Sequence, residues 1–493
     1  SPFTASFIIQ KPERLSVLLA EREKVFDVDA FRQGLEDHLM VIEEAAQLDH
    51  ELRLARNEQM ALITCRDVLG LASLEESLAH LSGLADVMVE LALRWHYEKL
   101  AARHGYPLTE DGQHMPLVVL GMGKLGAQEL NFSSDIDLIL AYEADGETTG
   151  PATLSHHEFF TRLTQKMSQS LNKTTEDGFV FRVDLRLRPY GNSGPLVMNF
   201  GAMEEYYQTQ GREWERYAMI KARAIGMDVS AGEGLLEILR PFVYRRYLDF
   251  GVIQSLRDLK VMIDRETVRK DRQDNLKLGP GGIREIEFIA QVFQLMRGGQ
   301  DSALRSRSTP LILQRLAERE LLSAQESSQL IAAWRFLRLA ENHIQAMYDR
   351  QEHALPKNEL DQQRLAISMD YEQWPDFLAA LSTHRQVVQQ AFDGVFAEST
   401  GSDQDHPARG FWLGIDDESI DVTYLQDLEF EDPTTAAEKL QTLKLHGVYQ
   451  RLSSRGKELM DGLMPEIIQQ SAQLGNADEV LGRLINVITS IAP

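Results

Sequence analysis

Residues 121–138 read Gly-Met-Gly-Lys-Leu-Gly-Ala-Gln-Glu-Leu-Asn-Phe-Ser-Ser-Asp-Ile-Asp-Leu. In a strand, positions i and i+2 project to the same side. Asp135 and Asp137 therefore share one face, while Ile136, Leu138 and Leu140 pack the other. Two carboxylates held so close repel each other unless a cation lies between them, and hard oxygen ligands suit Mg²⁺ or Mn²⁺. The alternative, a solvated hairpin edge, fits poorly with such apolar flanks. A second pattern runs from Asp177 to Pro189: Phe179, Phe181, Val183, Leu185 and Leu187 alternate with Arg182, Asp184, Arg186 and Arg188. One face is core. The other offers a third carboxylate, Asp184, beside Arg186 and Arg188, which can grip phosphate oxygens in bidentate fashion. A salt-bridged outer sheet face is the competing possibility. The amides of the glycine turn, with Gly121 and Gly123, and the ammonium of Lys124 complete a cradle for phosphates. Metal-binding carboxylates, arginines and such a turn are the parts of a nucleotidyl-transfer site, which works by positioning and charge stabilisation during in-line attack at phosphorus.

These residues need elements to hold them. Pro116–Gly121 is a short apolar run ending in glycine and predicts a buried strand. Strands are also expected at 135–140, at 178–188 and over 195–199, with a helix at 157–171. Residues 11–105 predict helices, with Ser73 and Glu76 spaced as a capping box ahead of Leu74, Leu78, Leu81, Ala85, Met88, Ala92 and Trp95. From 230 onward the pattern is helical again. Ser323 and Glu326 form a second capping box, followed by the stripe Leu330, Trp334, Leu337, Ile344 and Met347. A further stripe is Leu378, Leu381, Val388, Phe392 and Val395. The expected fold class is α+β: a small mixed sheet over 116–225 between helical segments 1–115 and 226–397. An acidic linker over 398–433 and a helical connector over 434–493 follow. Residues 398–433 hold 11 acidic residues and one basic residue.

Composition limits the function. Of 493 residues, 43% are hydrophobic and 26% charged, an ordinary globular mix. The formal net charge of −24 argues against nucleic acid as the main partner. No apolar run is long enough to cross a membrane. A single cysteine, Cys65, excludes an internal disulfide and a Cys-based zinc site and predicts a cytoplasmic protein. With no initiating Met and no secretory leader, the natural chain is expected to extend beyond this sequence. Five further residues have two possible roles. Glu287, on a helix following two glycines, either supports the site or braces its helix. Lys221 and Arg223 either meet phosphate or solvate a surface. Trp214 and Tyr217 offer rings for adenine or for the core.

The motif G-x-G-K-L-G-x-x-E-L-x-x-S-S-D-I-D-L resembles that of the glutamine synthetase adenylyltransferase family, within the DNA polymerase β-like nucleotidyltransferase superfamily. Arg182–Pro189, Trp214–Arg223 and Gly281–Phe288 match further family blocks in the same order. The resemblance implies that Asp135, Asp137 and Asp184 bind metal, and that Gly123, Lys124, Ser133 and Ser134 form the phosphate-contacting turn. Family enzymes carry two opposed halves. One adenylylates a tyrosine of glutamine synthetase; the other removes the AMP by phosphorolysis. Gly121-Met-Gly, Asn131-Phe-Ser-Ser, Asp177-Gly-Phe-Val-Phe-Arg and Gly211-Arg-Glu-Trp-Glu-Arg-Tyr resemble the N-terminal, adenylyl-removing half. Ala127-Gln128 departs from the commoner Gly in the turn but supplies no ligand. Residues 451–457 resemble the connector toward a second half. The resemblance implies adenylylated glutamine synthetase, phosphate, ADP or ATP, the PII signal protein and glutamine as partners or effectors. The opposite activity and a turnover-free docking role for PII are the alternatives.

Overall fold

The computed structural model describes residues 1–245, 274–400, 407–415, 422–452, 454–474 and 476–491. Its centre is a five-stranded mixed sheet. Strand β1 (Val118–Gly121) pairs antiparallel with both β2 (Ile136–Tyr142) and β5 (Arg223–Ile225). The far edge of β2 carries two short parallel partners. β3 (Val183–Asp184) lies against Ile136 and Asp137; β4 (Val197–Asn199) lies against Leu140, Ala141 and Tyr142. Apolar runs this short make strands because Val118, Val119, Leu120, Leu138 and Ile139 are buried on both faces.

Helices provide that cover. The 31-residue helix Leu74–His104 and the helix His156–Asn172 pack together and share a core with the sheet. The second helix buries Phe159, Phe160, Leu163, Met167 and Leu171 at helical spacing. Complete burial of such side chains contributes about 1.5–3 kcal/mol each. Ser73 caps the long helix by accepting the Glu76 N–H, but the Glu76 carboxylate does not complete the box; it accepts from Arg66 instead. At Ser323 both halves of the capping box form, starting the helix Ala324–Tyr348. Its apolar stripe, including Trp334 and Leu337, is buried.

Residues Ser1–Phe392 form one compact unit, in which the sheet lies together with the described helices of the expected segments up to residue 392. The helical expectation over 246–273 lies outside the described residues. Asp393–Pro493 is a second compact unit, and it corrects the expected linker. Pro407–Gly414 and Thr423–Asp427 are helices, and Trp412, Ile415 and Leu425 are buried with Leu440, Met464 and Leu481. Acidic residues hid this order because they lie between the apolar anchors. The linker residues 401–406 and 416–421 are outside the described set.

The expected strand over 178–188 is also corrected to the two residues of β3. Beyond Asp184 the chain turns. The Asp184 carboxylate accepts the Arg186 N–H at 2.8 Å, and the Arg188 carbonyl accepts the Gly191 N–H at 2.8 Å. A side chain that caps its own backbone competes with the sheet ladder. The charged alternation therefore does not extend to Arg188.

Candidate active site

The sheet brings the three aspartates together at one end. Asp135 immediately precedes β2, Asp137 is its second residue, and Asp184 lies directly opposite Asp137 in the parallel β2–β3 register. Gly123 closes the approach from the β1 turn. Its φ is +52°, a conformation that favours glycine, and a Cβ there would lie 3.3 Å from Asp137 Oδ2. The Met122 N–H donates to the Asp137 carbonyl at 2.9 Å, tying the turn to β2.

The carboxylates differ in their partners. Asp135 accepts from Arg182 Nε at 2.7 Å and from Gln351 Nε2 at 3.0 Å. Asp184 is gripped by the Arg186 guanidinium, which holds it below the usual carboxylate range. The Asp137 carboxylate accepts no hydrogen bond among the described residues. Burial pushes Asp137 up to about 6, reinforced by the charges of Asp184 and Asp135 and opposed by Lys277 and Arg186. Among the described residues no group of three or more His, Cys, Asp or Glu side chains is set to hold a metal. Arg182 and Arg186 draw the outer two carboxylates onto themselves.

The expected phosphate cradle is rearranged as well. Gly121 is buried within β1. Lys124 turns inward: its ammonium donates to Asn131 Oδ1 at 2.6 Å and to Glu341 Oε2 at 2.9 Å. Burial draws this ammonium down, against the pull of Glu341. Ser133 accepts from Arg182 through its carbonyl and hydroxyl, and its N–H donates to Gln345 Oε1 at 3.2 Å. Ser134 is buried beside it. Arg188 donates to the carbonyls of Leu185, Gly194 and Pro195, bracing the loop after β3. Arg186 keeps the Asp184 face and is largely exposed.

Of the five two-role residues, Lys221, Glu287, Arg223 and Tyr217 make contacts within the fold. Lys221 is buried, with its ammonium 2.7 Å from Glu287 Oε1 and 3.4 Å from Glu129 Oε2. Burial pushes Glu287 up, but Lys221 outweighs it and holds the carboxyl below its ordinary value. Arg223 forms a bidentate pair with Asp86, at 2.8 and 3.0 Å, beneath β5. Trp214 is exposed, and the Tyr217 ring packs on Phe288.

What sequence patterning missed is a polar stripe on the helix Ala324–Tyr348. Arg338, Glu341, Asn342 and Gln345 are all buried, and their i, i+3, i+4, i+7 spacing was the available signal. Arg338 donates to the Glu129 carbonyl and Asn131 Oδ1, Asn342 Oδ1 accepts from Asn131 at 2.8 Å, and Gln345 takes the Ser133 N–H. The helix thus docks the whole 124–133 loop that leads into Asp135.

A family model described as glutamate-ammonia ligase adenylyltransferase matches residues 1–238. A protein of Thioalkalivibrio sulfidiphilus named bifunctional glutamine synthetase adenylyltransferase/adenylyl-removing enzyme is 42% identical over 503 residues, covering 100% of this chain and 52% of its own. The chain belongs to the glutamate–ammonia ligase adenylyltransferase family. A relative of the same name from Chromobacterium violaceum is 45% identical over 442 residues, 90% of this chain and 49% of its own. The chain spans about half the length of these family members. A second model, described as GlnD PII-uridylyltransferase, matches residues 257–396. No helix among the described residues is long and apolar enough to cross a membrane.

Proposed function

We propose that this chain is the adenylyl-removing half of the family enzyme, a cytoplasmic nucleotidyltransferase. It catalyses phosphorolysis of the AMP–tyrosine diester on glutamine synthetase, releasing ADP and the unmodified tyrosine. The observation that carries the proposal is the register of Asp137 opposite Asp184 beneath Gly123, beside Asp135. The sheet around it supports a DNA polymerase β-like nucleotidyltransferase domain over 116–225. The N-terminal-type blocks at Asn131, Asp177 and Trp214 favour removal over addition, and the match over 257–396 favours regulation by PII.

The residues present suit a divalent cation such as Mg²⁺ or Mn²⁺. Asp137 accepts no hydrogen bond among the described residues and feels the like charges of Asp184 and Asp135, and a carboxylate pairing with one guanidinium keeps lone pairs to offer. Asp135, Asp137 and Asp184 would hold the ion, which when bound would neutralise charge on the phosphoryl oxygens. Arg186 orients Asp184 and extends positive charge toward the incoming phosphate. Arg182 and Gln351 orient Asp135. Tyrosine leaves as a phenolate, whose conjugate acid has a pKa of about 10, and phosphate needs no dedicated base near neutral pH.

The deciding assay mixes the chain with adenylylated glutamine synthetase, Mg²⁺ and phosphate. ADP release that requires phosphate is expected. Efficient AMP transfer from ATP to unmodified glutamine synthetase, without phosphate-dependent ADP release, would identify the opposite half. The two arginines should separate in the same assay. Arg186→Lys keeps charge but loses the fork, so the KM for phosphate should rise at an unchanged melting temperature. Arg188→Ala strands three carbonyls of the loop and should destabilise by about 1–3 kcal/mol. A KM effect confined to the Arg188 variant would reverse these roles.

A further inference from the structure

The wall facing the aspartate strands comes from two segments distant in sequence. Residues 274–276 pair with 353–355 through an antiparallel bridge between Asn275 and Ala354. The Leu276 N–H donates to the His353 carbonyl at 2.8 Å, and the Leu355 N–H to the Asp274 carbonyl at 3.0 Å. This clasp is anchored to the site at two points. Gln351 reaches Asp135 at 3.0 Å, and His353 Nδ1 lies 2.7 Å from the Glu341 carboxylate that also holds Lys124.

Lys277 follows the clasp directly, and its backbone is held on both sides. Its N–H donates to Asn275 Oδ1 at 3.0 Å, and its carbonyl accepts the Arg284 N–H at 3.1 Å. Gly281 permits the loop that returns to Arg284. Its φ is +66°, and a Cβ there would lie 2.2 Å from the Arg385 carbonyl. The Glu285 carboxylate accepts the Gly281 N–H at 3.1 Å. The Gly281–Phe288 block is thus a built platform for the backbone of Lys277.

The other cations ranged about the aspartates are committed. Arg182 serves Asp135, Arg186 serves Asp184, Arg188 serves loop carbonyls and Lys124 serves Glu341. Lys277 is half-buried, yet its ammonium has no hydrogen-bond or ion-pair partner among the described residues. The clasp it follows touches Asp135 through Gln351 and Glu341 through His353, which sets the Lys277 backbone at the wall of the site. A cation on a fixed backbone with no protein anion is disposed to take a ligand anion.

We propose that Lys277, presented by the clasp of 274–277 with 351–355, binds the phosphoryl oxygens of a nucleoside diphosphate across from Asp137, the role that Lys124 does not fill. This rests on the nucleotidyl-transfer proposal above and names the residue that receives the anionic product.

The test uses the whole 493-residue chain and calorimetric titration with ADP in Mg²⁺, beside the phosphorolysis assay. Lys277→Met keeps the stem and removes the charge, and Lys277→Arg restores charge. The Met variant should bind ADP about ten- to a hundredfold more weakly, the Arg variant should recover most of the affinity, and both should melt as the wild type does. The Met variant binding ADP normally, the Arg variant failing to rescue, or wild type binding no ADP would each overturn the assignment. If ADP binding depends on Lys277 but adenylylated glutamine synthetase is not processed, the anion site stands and the phosphorolysis proposal falls. If wild type turns over and Lys277→Met matches it in KM and kcat, the reverse holds.

Discussion

Asp137→Asn should reduce turnover by more than about 100-fold, the scale on which loss of one preorganised electrostatic group is felt. Of the three aspartates it alone has no protein partner among the described residues, so its carboxylate is the one fully available for metal. The amide keeps the shape and strands no donor, and the fold should persist. Stability gives an independent check with a definite sign. Asp137 sits near 6 in the folded chain, above its ordinary value of 3.8. The stability linked to its protonated form is therefore present at low pH and is lost as pH rises toward and through 6. In metal-free buffer the variant should melt above wild type at pH 8, by more than at pH 4. Added Mg²⁺ should raise the melting temperature of wild type but not of the variant. Wild-type turnover in Asp137→Asn at saturating Mg²⁺ would remove Asp137 from the metal site.

Glu341→Ala should be the most destabilising single change in the first unit. The carboxylate is fully buried and receives Lys124, Arg338 and His353. Burial opposes its charge, but these three partners outweigh burial and hold it well below its ordinary value. Removing one member of a buried ion network strands the others without water, which costs about 3–5 kcal/mol. The loss should appear as a lower denaturation midpoint. Activity should fall with it, since the 124–133 loop depends on the same helix face. Pairing Glu341→Leu with Lys124→Met, which removes both charges, should recover part of the stability. An unchanged midpoint in Glu341→Ala would show that the network contributes nothing net.

Much of this molecule follows from local pattern. The short apolar runs before Gly121 and after Asp135 point to β1 and β2, strands that are buried on both faces. A strand's period of two puts Asp135 and Asp137 on one face. The Ser323 box and the stripe from Leu330 to Met347 specify their helix in the same way. Local pattern misled where a side chain had a choice of partner. Arg188 continues the alternation in sequence, but Asp184 caps the backbone after it and ends β3. The acidic residues near 400–430 obscured the apolar anchors Trp412 and Leu425.

Which cations near the aspartates are already paired within the protein was decided only by tertiary structure. Lys124 lies in a glycine turn suited to phosphate, and nothing near it in sequence announces a competitor. Its partner, Glu341, is 217 positions away. Lys277, by contrast, carries no motif that marks it, and only the clasp between 274–276 and 353–355 brings its backbone to the wall of the site. Spacing along a chain specifies direction from the backbone. Which buried charge pairs with which depends on a competition among all groups in reach, and that competition is settled only when distant helices close on the sheet.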